Sequence, residues 1–333
     1  MTGLPIFRLY STMVQIVDPA DGSSLHEGAD GLYAGDVLRY PLRDGAYRLV
    51  SEGNYTDNFG LEWNTFQRTQ IDKFSGSDVS QRRFFAESAW TPESLNGLDV
   101  LEVGSGAGRF SQVVLDHTRA NLYSVDYSGA VEANFRNNGP HPRLKLFQAS
   151  VYELPFPKAS FPRVFCLGVL QHTPDFRASV QCLADKVAPG GELVVDFYPV
   201  RGWYTYLHAK YILRPITRRM NHDLLMRLVR ANAGWMIGLS RFFSKMGVGL
   251  YLNRFIPVCD IDRTLPAGMG PEQLREWVVL DTFDMFSPRY DSPQRIDTVV
   301  RWFRESGMQD VWGGWVEYAP GLQAAVVRGR KPA

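Results

Sequence analysis

Residues 98–110, LDVLEVGSGAGRF, decide the fold. Leu98, Val100, Leu101 and Val103 make a short apolar run, suited to a parallel strand covered on both faces. Glu102 sits near the C-terminal end of that run, and Gly104, Gly106 and Gly108 alternate just beyond it. Glycine accepts positive φ and lets a ligand approach the backbone closely. Open α/β sheets bind ligands at the carboxyl ends of their strands. The stretch therefore reads as a buried strand, a ligand-binding turn and the first turn of a helix.

Downstream, strand and helix patterns alternate. A helix is expected over 109–117. NLYSV (121–125) is a second strand ending at Asp126, 18 residues after Gly108, near the distance of an acidic residue that binds ribose hydroxyls. SGAVEANFRNN predicts a helix, LKLFQ (144–148) the third strand, and RVFCLGVL (163–170) the fourth strand and its exit. A helix over 176–186 runs into a sharp Ala188-Pro189-Gly190-Gly191 turn, and ELVVDFY is the fifth strand. This alternation predicts a doubly wound α/β sheet. The pattern then stops for about ninety residues. SPQRIDTVVRWFRESG (292–307) predicts an amphipathic helix with Val299, Val300, Trp302 and Phe303 on its apolar side. VWGGWVEYAP and GLQAAVVRGRK predict a closing β-hairpin. Residues 198–290 thus read as a helical insertion, or cap, after the fifth strand, inside a core of 98–197 and 291–333.

Upstream, residues 1–50 alternate apolar and polar side chains between the turn signals Asp21-Gly22, Asp30-Gly31 and Asp44-Gly45, a small antiparallel β module. Residues 51–97 read as mostly helical. Tyr55, Phe59, Trp63 and Phe66 fall at steps of four, four and three, one face of a helix. Such a stripe is either core or a lid over the glycine turn.

With 333 residues, 45% hydrophobic and 13% aromatic, the chain can bury a sizeable core. Its net charge of +1 counts against general polyanion binding. Cys166, Cys182 and Cys259 have neither disulfide-framework nor metal-site spacing, so no metal is expected. The start MTGLPIFRLY lacks a signal-peptide pattern, and no apolar run approaches the roughly 18 residues of a membrane span. The expectation is a soluble cytoplasmic protein. Charge is nevertheless uneven. Between Arg201 and Arg254 stand ten Lys or Arg against one acid, Asp223, leaving −8 for the rest. Aromatic side chains are interleaved: Trp203, Tyr204, Tyr206, Tyr211, Trp235, Phe242, Phe243 and Tyr251. The bland reading is a helical cap with a solvated basic face. The sharper readings are a site for phosphorylated substrates or an amphipathic surface that touches anionic membrane.

A glycine-rich strand-to-helix turn suits either a dinucleotide or S-adenosylmethionine. A dinucleotide turn calls for Gly or Ala at position 109, and the residue is Arg109. Pyrophosphate also prefers a helix N-terminus without a nearby anion, whereas Glu102 is placed to meet the ammonium of an amino-acid cofactor. No Gly-Lys-Ser/Thr follows, which removes the P-loop.

EVGSGAG resembles motif I of the class I S-adenosylmethionine-dependent methyltransferases, E-x-G-x-G-x-G. VDYS (125–128) resembles their ribose-binding second-strand motif, and SVYELPF (150–156) the D-x-x-x-L-P-F segment beside the adenine. VLQHTPD (169–175) resembles the segment after strand four, and APGGELVV (188–195) the turn before strand five. The branch most similar is methyltransferase type 11, and FGLEW and DTFDMFSPRYDSP are similar to segments of members associated with polysaccharide or secondary-metabolite pathways. The resemblance covers residues 98–197 and implies a seven-stranded Rossmann-like sheet with S-adenosyl-L-methionine as cofactor. It implies cofactor contacts from Glu102, Gly104, Ser105, Gly106, Gly108, Asp126, Tyr127, Ser150, Val151 and Leu167, with Trp63 from the aromatic stripe covering the sulfonium. Two departures stand out: Ser150 replaces the adenine-contacting Asp, and Phe161-Pro162 replaces Phe-Asp at the entry to strand four, where proline loosens the pairing. The N-terminal module resembles the zinc-ribbon-like module beside some methyltransferases, with Asp18-Pro19-Ala20-Asp21 where a Cys-Pro-x-Cys knuckle would fall.

The chemistry so implied is methyl transfer by in-line displacement to a small-molecule or glycan-type acceptor, a hydroxyl first. The acceptor pocket is expected from the cap. His172, just past strand four, is the candidate base; the competing reading is a loop-orienting histidine. Asp196 and Tyr198 stand behind it. Two alternatives are an RNA methyltransferase, which the near-zero net charge and missing cysteines count against, and a non-catalytic binding protein that keeps the fold.

Overall fold

The computed structural model describes residues 14–50, 55–266 and 268–333. The parts of the expected β module at 1–13 and of the helical segment at 51–54 lie outside the described residues.

Strands β1 (Ile16–Val17), β2 (Ser24–Glu27), β3 (Gly31–Ala34), β4 (Val37–Arg43) and β5 (Ala46–Arg48) come first, then helices α1 (Asp57–Thr65), α2 (Asp72–Ser75) and α3 (Val79–Ser88). The alternating part follows as β6 (Asp99–Val103), α4 (Arg109–His117), β7 (Asn121–Asp126), α5 (Val131–Asn138), β8 (Leu144–Gln148), β9 (Phe161–Cys166), α6 (Phe176–Lys186) and β10 (Val187–Phe197). The insertion holds α7 (Ala209–Thr217), α8 (His222–Lys245), α9 (Gly249–Leu252), α10 (Ile261–Thr264) and α11 (Pro271–Phe286). Helix α12 (Ile296–Glu305) and the hairpin β11 (Gln309–Ala319) and β12 (Leu322–Arg330) close the chain.

The sheet runs β1-β2-β3-β4-β5-β8-β7-β6-β9-β10-β12-β11. Twelve strands replace the seven expected. The difference lies at the N-terminus, where β5 pairs in parallel with β8, Ala46 opposite Leu146. The small β module is thereby an extension of the main sheet. Within it, buried Asp18 accepts hydrogen bonds from the Tyr40 hydroxyl at 2.7 Å and from the Ala20 amide at 2.9 Å, tying the turn where a metal knuckle would stand.

Strand β6 shows why the central run lacks polar alternation. Leu101 and Val103 join the core on one face, with Tyr123, Val125, Val195 and Val327. Val100 joins the core on the other, with Leu122, Phe165, Val194 and Val326. Both faces are covered, so successive residues are apolar. The proline entry to strand four survives as Phe161 opposite Val187, but the β9–β10 register shifts between Val187 and Glu192. The Ala188–Gly191 turn is absorbed in that irregularity.

Helix α12 packs on the closing hairpin. Val299 and Phe303, four apart and fully buried, face the core beside Val327 and Met308. Phe303→Ala is expected to cost about 3–5 kcal/mol, read as a lower midpoint in chemical denaturation. Helix α8 buries Leu225, Met226, Val229, Ala233 and Met236. The first four of these pack with Val279, Leu280 and Phe283 of α11. The insertion helices therefore pack around a core that also takes in Phe66, just past α1.

Candidate active site

The glycine turn between β6 and α4 is stretched over a fixed frame. Asp126, at the end of β7, accepts a hydrogen bond from the Gly106 amide at 2.8 Å through one carboxylate oxygen. The other oxygen accepts from the Ser128 amide at 2.8 Å and its hydroxyl at 2.7 Å. Gly106 has φ of +52°, and a Cβ there would stand 3.2 Å from the Trp63 indole. Gly108 caps α4 at φ +84°, where a Cβ would meet Asn134 Oδ1 at 2.2 Å. Gly108 thus provides the close helix packing that a dinucleotide turn assigns one residue later.

Arg109 is left free to turn elsewhere. It donates from Nε to Ser80 Oγ at 2.8 Å and from Nη1 to Gln70 Oε1 at 3.1 Å. Burial lowers its pKa to about 10, and it remains on the cavity wall.

Above the turn lies a cavity of about 790 Å³. Of the residues expected to hold a cofactor, Gly104, Ser105, Gly106, Asp126, Tyr127, Val151, Leu167 and Trp63 line it, and so does His172. Phe59 and Tyr55 join Trp63, while Phe66, last of the aromatic stripe, packs into the α8–α11 core instead. The stripe is therefore divided between cavity wall and core.

Three of the residues expected to contact the cofactor lie off the cavity wall. Glu102 shares the Val100 face of β6, the side that α4 and α5 cover, because alternate residues face opposite ways. There its carboxylate accepts from the hydroxyls of Ser111 at 2.5 Å and Ser124 at 2.8 Å. It is 1% exposed, lies off the cavity wall, and burial raises its pKa to about 7. It thus braces α4 and β7 from beneath the turn. Ser150 accepts from the Tyr152 amide at 3.2 Å and also lies off the wall, between Ala149 and Val151 which line it. Gly108 faces α5, not the cavity.

His172 sits on the short turn 170–172, buried among Phe59 and Tyr198, with ring centroids at 5.2 and 5.5 Å. Its Nδ1 is 3.1 Å from the Tyr290 carbonyl oxygen. A carbonyl only accepts, so Nδ1 carries the proton and Nε2 keeps a lone pair. Nε2 has no hydrogen-bond partner among the described residues, and Asp284 Oδ1 stands 3.9 Å away. Tyr198 donates to the other Asp284 oxygen at 2.8 Å. Burial holds the imidazole pKa below its ordinary value of 6.5, with Asp284 and Asp291 opposing.

The same wall carries two further carboxyls. Glu62 is fully buried and neither of its oxygens has a hydrogen-bond partner among the described residues. Burial, with Asp284 and Asp281 adding, pushes its pKa well up. Asp281, which accepts from Gln70 at 3.1 Å, is pushed to about 7 by burial and by Asp284. Glu62, Asp281, Asp284 and Arg109 are functional candidates that the sequence motifs did not single out. The signal was present: Glu62 precedes Trp63 in FGLEW, and Asp281 and Asp284 are three apart on one helix face. Asp196 is occupied instead, by the Gly168 amide and Arg83. Among the described residues, no group of three or more His, Cys, Asp or Glu side chains is arranged to hold a metal ion.

Residues 101–195 match a family described as a methyltransferase domain. A tRNA U34 carboxymethyltransferase of Nautilia profundicola is 29% identical over 128 residues, 38% of this chain and 43% of that protein. A Mycobacterium tuberculosis protein named "Probable S-adenosylmethionine-dependent methyltransferase Rv3030" is 31% identical over 131 residues, 39% of this chain and 46% of that protein. The chain thus spans less than half the length of these relatives. Among solved structures, a complex of the Haloferax volcanii Trm112 methyltransferase activator with a methyltransferase aligns at 13% identity. Its TM-score is 0.48, over 83% of this chain and 99% of that chain.

Proposed function

Residues 101–195 form a class I S-adenosylmethionine-dependent methyltransferase domain, and from that premise we propose that the protein methylates a hydroxyl on a small-molecule or glycan-type acceptor. The observation that carries the acceptor chemistry is His172: the residue lines the cavity, its tautomer is set by the Tyr290 carbonyl, and its buried Nε2 has no hydrogen-bond partner among the described residues.

The residues present fit the cofactor. A Cβ at Gly106 would crowd the space below Trp63, and the buried Ser105 hydroxyl beside it has no partner among the described residues. Asp126 and Tyr127 would hold the ribose, Val151 and Leu167 would flank the adenine, and Arg109 would meet the carboxylate. Bound S-adenosylmethionine supplies a methyl group already activated on a sulfonium. What remains for the chain is to hold the acceptor in line, an effect worth up to about 7–11 kcal/mol in ideal systems, and to manage one proton. His172 Nε2 takes that proton from the acceptor hydroxyl. Asp284 then faces the imidazolium, and Tyr198 fixes the carboxylate. Trp63 shields the sulfonium position. Trp63→Ala is expected to weaken S-adenosylmethionine binding by about 2- to 30-fold, the range of a cation–π contact, in a calorimetric titration. Unchanged affinity and turnover would remove Trp63 from the lid.

A second reading is an RNA acceptor. It is favoured by the relatives named tRNA U34 carboxymethyltransferases and by the ten basic residues between Arg201 and Arg254. The two readings separate in one experiment. The protein is incubated with methyl-labelled S-adenosylmethionine and bacterial extract, and the label is followed into the RNA and non-RNA fractions. Label in the small-molecule or glycan fraction supports the first reading. Label in RNA alone replaces it with the second.

A further inference from the structure

The insertion exposes apolar side chains out of proportion to the rest of the molecule. Among the described residues, fourteen of the twenty exposed large hydrophobic side chains fall between Trp203 and Phe255. A patch of this kind marks an interaction surface.

On α8 the exposed residues are ordered. Leu224, Leu228, Trp235, Phe242 and Met246, the last just past the helix end, follow at steps of four, seven, seven and four. At 3.6 residues per turn these positions share about 40° of arc and run for about 33 Å. The residues that α8 buries lie on the far side of the helix. Arg227 and Lys245, both exposed, border the stripe on one side, with Arg230 and Arg241 beyond them. Helix α7 repeats the pattern with Ile212 and Ile216 exposed four apart, followed by exposed Arg218 and Arg219. Basic residues beside an apolar stripe, with Trp and Phe in it, form the pattern of a helix lying in a membrane interface.

We propose that this face of the insertion docks on an anionic lipid bilayer. Charge selects that occupant. A second copy of the chain seated face to face would set the exposed Arg218, Arg219, Arg227, Arg230, Arg241 and Lys245 against the same cations, since a two-fold interface uses the same patch twice. RNA would answer the charge but not the aliphatic side chains of Ile212, Ile216, Leu224, Leu228 and Met246, which offer it neither stacking nor hydrogen bonds. An anionic bilayer answers both.

The cavity reaches the same region. Tyr204, Ser244, Gly247, Asn253 and Arg254 line it, and each lies within three residues of an exposed apolar side chain: Trp203, Phe242, Met246, Leu252 or Phe255. Docking would turn this rim toward the lipid, so that an acceptor carried on a lipid anchor enters without leaving the bilayer. That last step rests on the methyl-transfer reading; the docking itself does not.

The test is co-sedimentation of the full chain with two vesicle types, pure phosphatidylcholine and an equal mixture of phosphatidylcholine and phosphatidylglycerol. Binding to the mixed vesicles is expected to be at least about tenfold stronger and to fall with added salt. The exposed double variant Leu228→Glu/Trp235→Glu is expected to lose that preference while it still binds S-adenosylmethionine. Retained cofactor binding shows that the variant is folded and keeps this test separate from the functional reading. Docking is refuted if the folded wild-type protein ignores anionic vesicles, or if the double variant binds them equally well. A wild-type dimer that this variant splits would make the stripe a self-interface, and RNA binding without vesicle binding would make it a nucleic-acid surface; either overturns the proposal.

Discussion

His172→Gln is expected to lower kcat by about 10²- to 10⁴-fold, the range for loss of a positioned general base, with S-adenosylmethionine affinity little changed. The size follows from the neighbourhood. The Tyr290 carbonyl fixes the ring, Nε2 is the unpartnered nitrogen, and Asp284 stands ready to stabilise the imidazolium. Glutamine keeps a polar group there but cannot take the proton. The pH dependence carries a sign. Burial holds the His172 pKa below 6.5, so the ring is neutral and able to accept a proton at pH 7. The rate should be level near neutrality and fall only as the pH drops below about 6.5, through the lowered pKa. The groups facing the ring are Asp284, Asp291 and Lys210, and their influence stays in the glutamine variant. The residual rate of that variant should therefore lack the acid limb. A variant with full kcat would reduce His172 to a loop-orienting residue.

Asp126→Ala is expected to weaken S-adenosylmethionine binding by about 100-fold or more. The carboxylate holds the glycine turn through the Gly106 amide and the β7–α5 turn through Ser128, besides any bond to the ligand. Hydrogen bonds to a charged group are worth about 1.5–3 kcal/mol each, and each 1.4 kcal/mol is about tenfold in affinity. Losing one scaffold bond and one ligand bond accounts for the size. Asp126→Asn keeps an accepting oxygen for Gly106 and should fall between. Calorimetric titration of the three proteins, with circular dichroism to confirm folding, reads the order. Equal affinities would remove Asp126 from the site.

The glycine turn, Asp126 and the closing hairpin were legible in the sequence because each is a local pattern: a spacing, a strand end, a turn between alternating runs. The partners of Glu102 were not legible, because its position in the motif says nothing of which face of β6 it occupies; strand alternation sends it toward Ser111 and Ser124. The length of the sheet was not legible either. Whether β5 ends a module or pairs with β8 depends on a contact between segments about a hundred residues apart. Glu62 and Asp284 stayed hidden for the same reason, since they converge only when α1 meets α11. The basic, aromatic insertion was visible as composition, but its five-residue stripe on α8 needed the burial pattern to appear.

The methyl-transfer reading stands on S-adenosylmethionine binding at the turn 104–108 and the cavity above it. The most direct measurement is a calorimetric titration of the wild-type protein beside Gly106→Val. Saturable one-site binding to the wild type is expected. No binding is expected to the variant, whose added side chain meets Trp63 at a φ of +52°. A folded wild-type protein that gives no binding, or a Gly106→Val variant that binds as well, would contradict that reading.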